Sequence, residues 1–75
     1  MITVKVCYES SGKPAQDKKV SLGIDALFRG GVTKSEWTDS NGEAHFDVEP
    51  AEGKVFVDGS TVHQGYLKGR IVIYI

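Results

Sequence analysis

Apolar residues in this chain recur at every second position, and that period restricts the fold more than anything else in it. Ile2, Val4, Val6 and Tyr8 alternate with Thr3, Lys5 and Cys7. Successive side chains of an extended chain point to opposite faces, so the pattern describes a strand with one apolar face. Val20, Leu22 and Ile24 repeat it, with room to continue through Ala26 to Phe28. Ala44, Phe46 and Val48 alternate with Glu43, His45 and Asp47, and Val55-Phe56-Val57 and Arg70–Ile75 read as further strands. No window carries a helical stripe. Ala15 to Val20 is too short and polar to nucleate a helix alone.

Turn chemistry separates these runs. Ser10-Ser11-Gly12-Lys13-Pro14 ends the first strand, because Gly12 accepts positive φ and Pro14 has no N–H for a ladder. Gly30-Gly31 is a hairpin signal, with Val32 to Thr38 as the return strand. Asp39-Ser40-Asn41-Gly42 is the strongest turn, since Asp39 and Asn41 bond nearby amides and Gly42 supplies a left-handed residue. Glu49-Pro50-Ala51-Glu52-Gly53 reads as another break, and Asp58-Gly59 as a second hairpin. Ser60 to His63 is expected as a short return strand, followed by a loop through Gln64–Gly69. Roughly six to seven short strands with regular turns predict an all-β fold, a small antiparallel β-sandwich spanning residues 1–75 as one domain.

The motifs also come in a familiar order. Val4-Lys5-Val6 is followed by Gly12-Lys13-Pro14-Ala15 and then Val20-Ser21-Leu22; Thr38-Asp39-Ser40-Asn41-Gly42-Glu43-Ala44-His45-Phe46 and Gly53-Lys54-Val55-Phe56-Val57 come after them. The series resembles the transthyretin-like and carboxypeptidase-regulatory-like domains, with their G-x-P-x turn, T-D-x-x-G-x-x-x-F signature and G-x-Y-x-V strand. The resemblance implies a transthyretin-like or immunoglobulin-like sandwich and says little about function. The group's hydrolase uses a first-strand histidine and a C-terminal Tyr-Arg-Gly-Ser tail. Lys5 stands at the first of these positions and the sequence closes on Ile73-Tyr74-Ile75, so that activity is not expected. The lysine–asparagine cross-link of related adhesins is not expected either, because Lys5 points away from the core and the last strand has no asparagine.

With 75 residues the chain buries only about 60% of the surface it exposes when unfolded. A core of that size supplies about 3–5 kcal/mol, which leaves little for a deep catalytic cavity. The single cysteine, Cys7, excludes an internal disulfide and fits a reducing compartment. A net charge of −1, with the signs interspersed, argues against a nucleic-acid partner. No segment is apolar enough for a membrane span or a signal peptide. The expectation is a soluble cytoplasmic protein, or a secreted one if a signal peptide has been removed, with no cofactor.

No nucleophile elbow, phosphate-cradling glycine loop or CxxC pair is present, so no catalytic residue and no enzyme is predicted. His45 between Glu43 and Asp47 could bind a divalent metal, with His63 as a helper, yet alternate strand residues stand about 7 Å apart. A solvated face is the commoner meaning. Trp37, Phe56, Tyr66 and Tyr74 could stack a carbohydrate; core packing for Trp37 and loop anchoring for Tyr66 are the simpler roles. Cys7 is placed on the outward face as an inert thiol. Arg29 beside Gly30-Gly31 could hold an anion, but a hairpin explains the glycines.

The last strand is apolar on both faces, with Ile71, Ile73 and Ile75 opposite Val72 and Tyr74, and Phe56 repeats the trait. A sandwich strand needs one apolar face. Something must cover Phe56, Val72 and Tyr74, either the Ser60–Gly69 loop or a partner chain. The expected role is a non-catalytic binding or structural module that self-associates through a sheet face or edge as a homodimer, with another protein as the other possible partner. Small-ligand binding at His45, Glu43, Asp47 and Trp37 is the alternative.

Overall fold

The structure, a computed structural model, describes residues 1–25 and 31–75. Gly30 of the expected Gly30-Gly31 hairpin, Arg29 and the Ala26–Phe28 continuation fall outside the described residues. Seven strands are described: β1 Ile2–Cys7, β2 Lys19–Ile24, β3 Glu36–Trp37, β4 Glu43–Phe46, β5 Ala51–Val57, β6 Ser60–Leu67 and β7 Gly69–Tyr74. No helix occurs among the described residues, and the strands form two sheets, β4-β1-β7 and β3-β2-β5-β6. The protein is thus a small all-β, sandwich-like fold, as the alternation predicts.

Ile2, Val4 and Val6 of β1 and Val20, Leu22 and Ile24 of β2 are buried in one core with Ala44, Phe46, Val55, Val57, Leu67 and Ile73. One pairing departs from the antiparallel expectation. β1 runs parallel to β7, with Val4 opposite Ile71 and Val6 opposite Ile73. Parallel neighbours need a crossover between them. Here the chain supplies it by leaving the second sheet at Leu67 and entering the first at Gly69, whose φ is +58°.

The Asp39 turn is the best-defined connection. Asp39 Oδ1 accepts from the N–H groups of Asn41 (2.9 Å) and Glu43 (3.0 Å), and its C=O accepts from Gly42 N–H (2.9 Å). Gly42 has φ +75°, and a Cβ there would stand 3.1 Å from both the Ala15 nitrogen and the Pro14 Cβ. Glycine is needed for conformation and space together. Just before the turn, the buried Thr38 hydroxyl donates to Ala15 C=O (2.6 Å) and accepts from Lys18 N–H (2.8 Å). That stitch joins the loop after β1 to the exit of β3.

Several expectations are corrected. The Glu49–Gly53 break ends early, since β5 already starts at Ala51 and buries Ala51, Gly53, Val55 and Val57 on one face. Small residues at inward positions mimic a turn in composition while keeping the strand's period of two. Gln64–Gly69 is not a loop: β6 pairs with β5 from Ser60 to Leu67. The Asp58-Gly59 hairpin is as expected, with φ of 50° and 87° at its two residues. A register shift at Val55/Phe56 leaves Val62 as the extra residue of a bulge on β6. The Val32–Thr38 return strand is reduced to a single bridge at Val32 and the two residues of β3.

Cys7 holds the outward position of β1 as expected, yet it is buried there. It lies between Pro14, its bridge partner on one side, and Tyr74 on β7, so both flanks of a small side chain are lined. Trp37, expected in the core, is 62% exposed because β3 is a short edge strand on which it pairs with the exposed Lys19.

Candidate functional site

Two groupings of polar and apolar residues stand out, both belonging to the three-stranded sheet. The first lies on its outer surface. Asp39, Glu43 and His45 bring one ligand-type atom each within 4.8 Å of one another. His45 Nε2 is 4.0 Å from Glu43 Oε1, and its Nδ1 shares a 2.9 Å hydrogen bond with Thr3 Oγ1. Asp47 lies beyond the end of β4 and its expected place is taken by Asp39, while His63 belongs to β6 in the other sheet.

The charges of this group are met by protein partners. Arg70 Nη2 reaches across β1 to within 2.9 Å of Glu43 Oε2, and Asp39 Oδ1 holds two backbone amides. Those amide bonds, the one from Glu43 foremost, hold the Asp39 carboxyl below its ordinary value of 3.8. The cluster therefore ties β4 to β7 and closes a turn. Sequence reasoning missed Arg70 and Asp39 as its members, because a β1–β7 pairing is not visible from local spacing.

The second grouping is the edge of β7. Ile75 donates its N–H to Cys7 C=O (2.9 Å) and accepts at its own C=O from Glu9 N–H (2.8 Å). Along a parallel ladder, residues bonding one neighbour with both backbone groups alternate with residues presenting both to the other side. The N–H and C=O of Arg70, Val72 and Tyr74 therefore face away from β1. No strand among the described residues hydrogen-bonds β7 on that side.

Sheet edges are usually blunted against unwanted pairing by shortness, charge, proline or a bulge. β3 has two residues, β4 carries Glu43 and His45, and β6 is bulged. β7 has six residues, Gly69-Arg70-Ile71-Val72-Ile73-Tyr74, with no proline and no register shift, and its one charge, Arg70, is paired with Glu43. Of the four edges it is the one left open.

Burial on this side of the molecule is uneven, with Leu67 of β6 and Ile73 of β7 closed off from solvent and their neighbours less so. On the β3–β4 side, Ala44 and Phe46 are closed off from solvent. On the other side Val4 is fully buried while its β7 partner Ile71 is only partly so, and Val55 is fully buried while its β6 partner His63 is half-exposed. Val62 is likewise only partly covered.

The expected interface residues do not make one surface. Val72 and Tyr74 project from the outer face of the three-stranded sheet, in register with Lys5 and Cys7. Phe56 projects from the outer face of the four-stranded sheet, in register with Ser21 and Thr61. The aromatics divide the same way, with Tyr74 on the sheet opposite to Trp37, Phe56 and Tyr66. No protein-family model, curated protein or solved structure matches the chain.

Proposed function

We propose that the protein is a non-catalytic binding or structural module that associates with a protein partner by accepting a strand at the β7 edge. The observation that carries this reading is the row of outward backbone groups at Arg70, Val72 and Tyr74 on a long edge whose one charge, Arg70, is drawn back to Glu43. Main-chain hydrogen bonds supply affinity in strand addition, and alternate side chains supply specificity. The exposed Val72 and Tyr74 flank the same edge and would enlarge the contact.

A transthyretin-like or carboxypeptidase-regulatory-like kinship fits this reading. Each motif behind it has a structural role here: Gly12 turns with φ +72°, Asp39 and Gly42 build the β3–β4 turn, and Gly53 lies inside β5. Those roles are architectural, which agrees with a module that does no chemistry.

Amide hydrogen exchange, followed as a function of protein concentration and of added strand-forming peptide, tests the proposal. Protection should appear at Arg70, Val72 and Tyr74. Association that protects the outer face around Trp37 and leaves the β7 edge exchanging freely would refute it.

A further inference from the structure

We infer that Asp39, Glu43 and His45 form a binding site for a divalent transition-metal ion, Zn²⁺ foremost, on the outer face of the three-stranded sheet. This site is separate from the β7 edge and does not depend on it.

The three residues are brought together by the turn and the strand after it. Glu43 and His45 alternate along β4, so both project to one face. The turn folds Asp39 back until its N–H donates to Glu43 C=O (2.9 Å). Each residue offers one ligand atom, and the three atoms lie within 4.8 Å of one another.

What distinguishes the group from a chance meeting of exposed side chains is how each member uses its two polar atoms. Asp39 commits Oδ1 to the amides of Asn41 (2.9 Å) and Glu43 (3.0 Å), which leaves Oδ2. Glu43 commits Oε2 to Arg70 (2.9 Å), while its Oε1 lies 4.0 Å from His45 Nε2. His45 commits Nδ1 to Thr3 Oγ1 (2.9 Å), which leaves that same Nε2. One atom of every side chain is thus anchored and the other is available. Metal ligands are oriented in this way, by partners that do not themselves touch the ion.

The donor set selects the ion. An imidazole nitrogen suits Zn²⁺, Cu²⁺ and Ni²⁺, whereas Mg²⁺ and Ca²⁺ take shells of oxygen. Neighbouring donors in a tetrahedral Zn²⁺ shell stand about 3.3 Å apart, so Glu43 Oε1 and His45 Nε2 need to close by only about 0.7 Å. Three protein donors leave a fourth position for water, and Asp39 and His45 are exposed, so the ion has access from solvent. With the metal on Nε2, Nδ1 carries the proton and donates it to Thr3 Oγ1. Arg70 opposes the ion through its charge but leaves Oε1 free.

Zn²⁺ titrated into the full chain, followed by the ring resonances of both histidines, tests the site. His45 Nε2 should shift while Nδ1 keeps its proton, and His63, in the other sheet, should not respond. Mg²⁺ should move neither. His45→Gln, an exposed change outside the turn, should weaken binding by about tenfold or more, and Thr3→Val, which removes the Nδ1 partner, by about tenfold. Arg70→Gln should tighten it by about threefold, the effect of removing one unit charge at this range in water. No response of His45 at a large excess of Zn²⁺, an equal response of His63, or unchanged affinity in His45→Gln would each overturn the site.

Discussion

The ring of Phe56 lies over Gly23, its Cε2 atom 3.0 Å from where a Cβ on that glycine would stand. Phe56 faces outward on β5, yet it is half-buried because the neighbouring strand has no side chain at that point. The surplus apolar character of β5 is thereby covered within its own sheet, in the manner of an aromatic rescuing a strand glycine. Val72 and Tyr74 have no such seat.

Phe56→Ala should therefore cost about 1–2 kcal/mol through lost apolar cover, and Gly23→Ala less, because the ring can tilt away. Urea denaturation measures both. Phe56→Glu should lower stability without altering association by light scattering, since this surface lies opposite the β7 sheet.

Gly53 marks a closer approach. A Cβ on it would overlap the backbone carbonyl of Gly23 and stand 3.2 Å from Leu67 Cδ1. Backbone atoms in a central strand pair cannot give way, so Gly53→Ala should cost about 2 kcal/mol or more. Gly59, with φ +87° and nothing near its Cβ position, should lose only about 1 kcal/mol as alanine. The two urea midpoints, compared at equal slope, check the ranking.

Thr38 is the buried polar residue on which the β1–β2 loop depends. Thr38→Val keeps the shape but strands Ala15 C=O and Lys18 N–H, at a cost of about 1–3 kcal/mol. Thr38→Ser keeps the hydroxyl and should lose much less. Faster amide exchange at Lys18 in the valine variant alone would identify the hydrogen bond as the cause.

Acid should weaken the Asp39 turn. Its folded-state carboxyl lies below the ordinary 3.8, lowered first by the Glu43 amide. The anion's contribution is fully present above the unfolded value and disappears as pH falls through the lower folded one. Asp39→Asn, which keeps an acceptor oxygen but no charge, should differ from wild type by a constant amount above about pH 5 and converge with it toward about pH 2. A gap that persists unchanged in acid would remove the carboxylate from the account.

Much of the fold is legible in the residues because large apolar side chains mark the inward face of β1, β2 and β4 directly. β5 and β6 are only half legible. Their inward positions include Ala51, Gly53 and Gly65, and residues that small look like turn formers when read locally. Trp37 misleads in the opposite way, since an aromatic in a sparse segment suggests core, whereas a two-residue edge strand leaves it in solvent. Of the candidate site, Val72 and Tyr74 are visible as a surplus apolar face, but the company they keep is not.

The sequence by itself determined the class, an all-β chain whose turns at Gly12, Asp39–Gly42 and Asp58-Gly59 arise from local φ preferences and side-chain bonds to nearby amides. Tertiary structure alone decided that β7 lies parallel to β1, that Arg70 meets Glu43, that Phe56 and Tyr74 part company, and that one sheet is a strand shorter than the other. Period and turn chemistry act within a few residues along the chain. Which strands become neighbours, and which edge stays open, depends on how distant segments share one core.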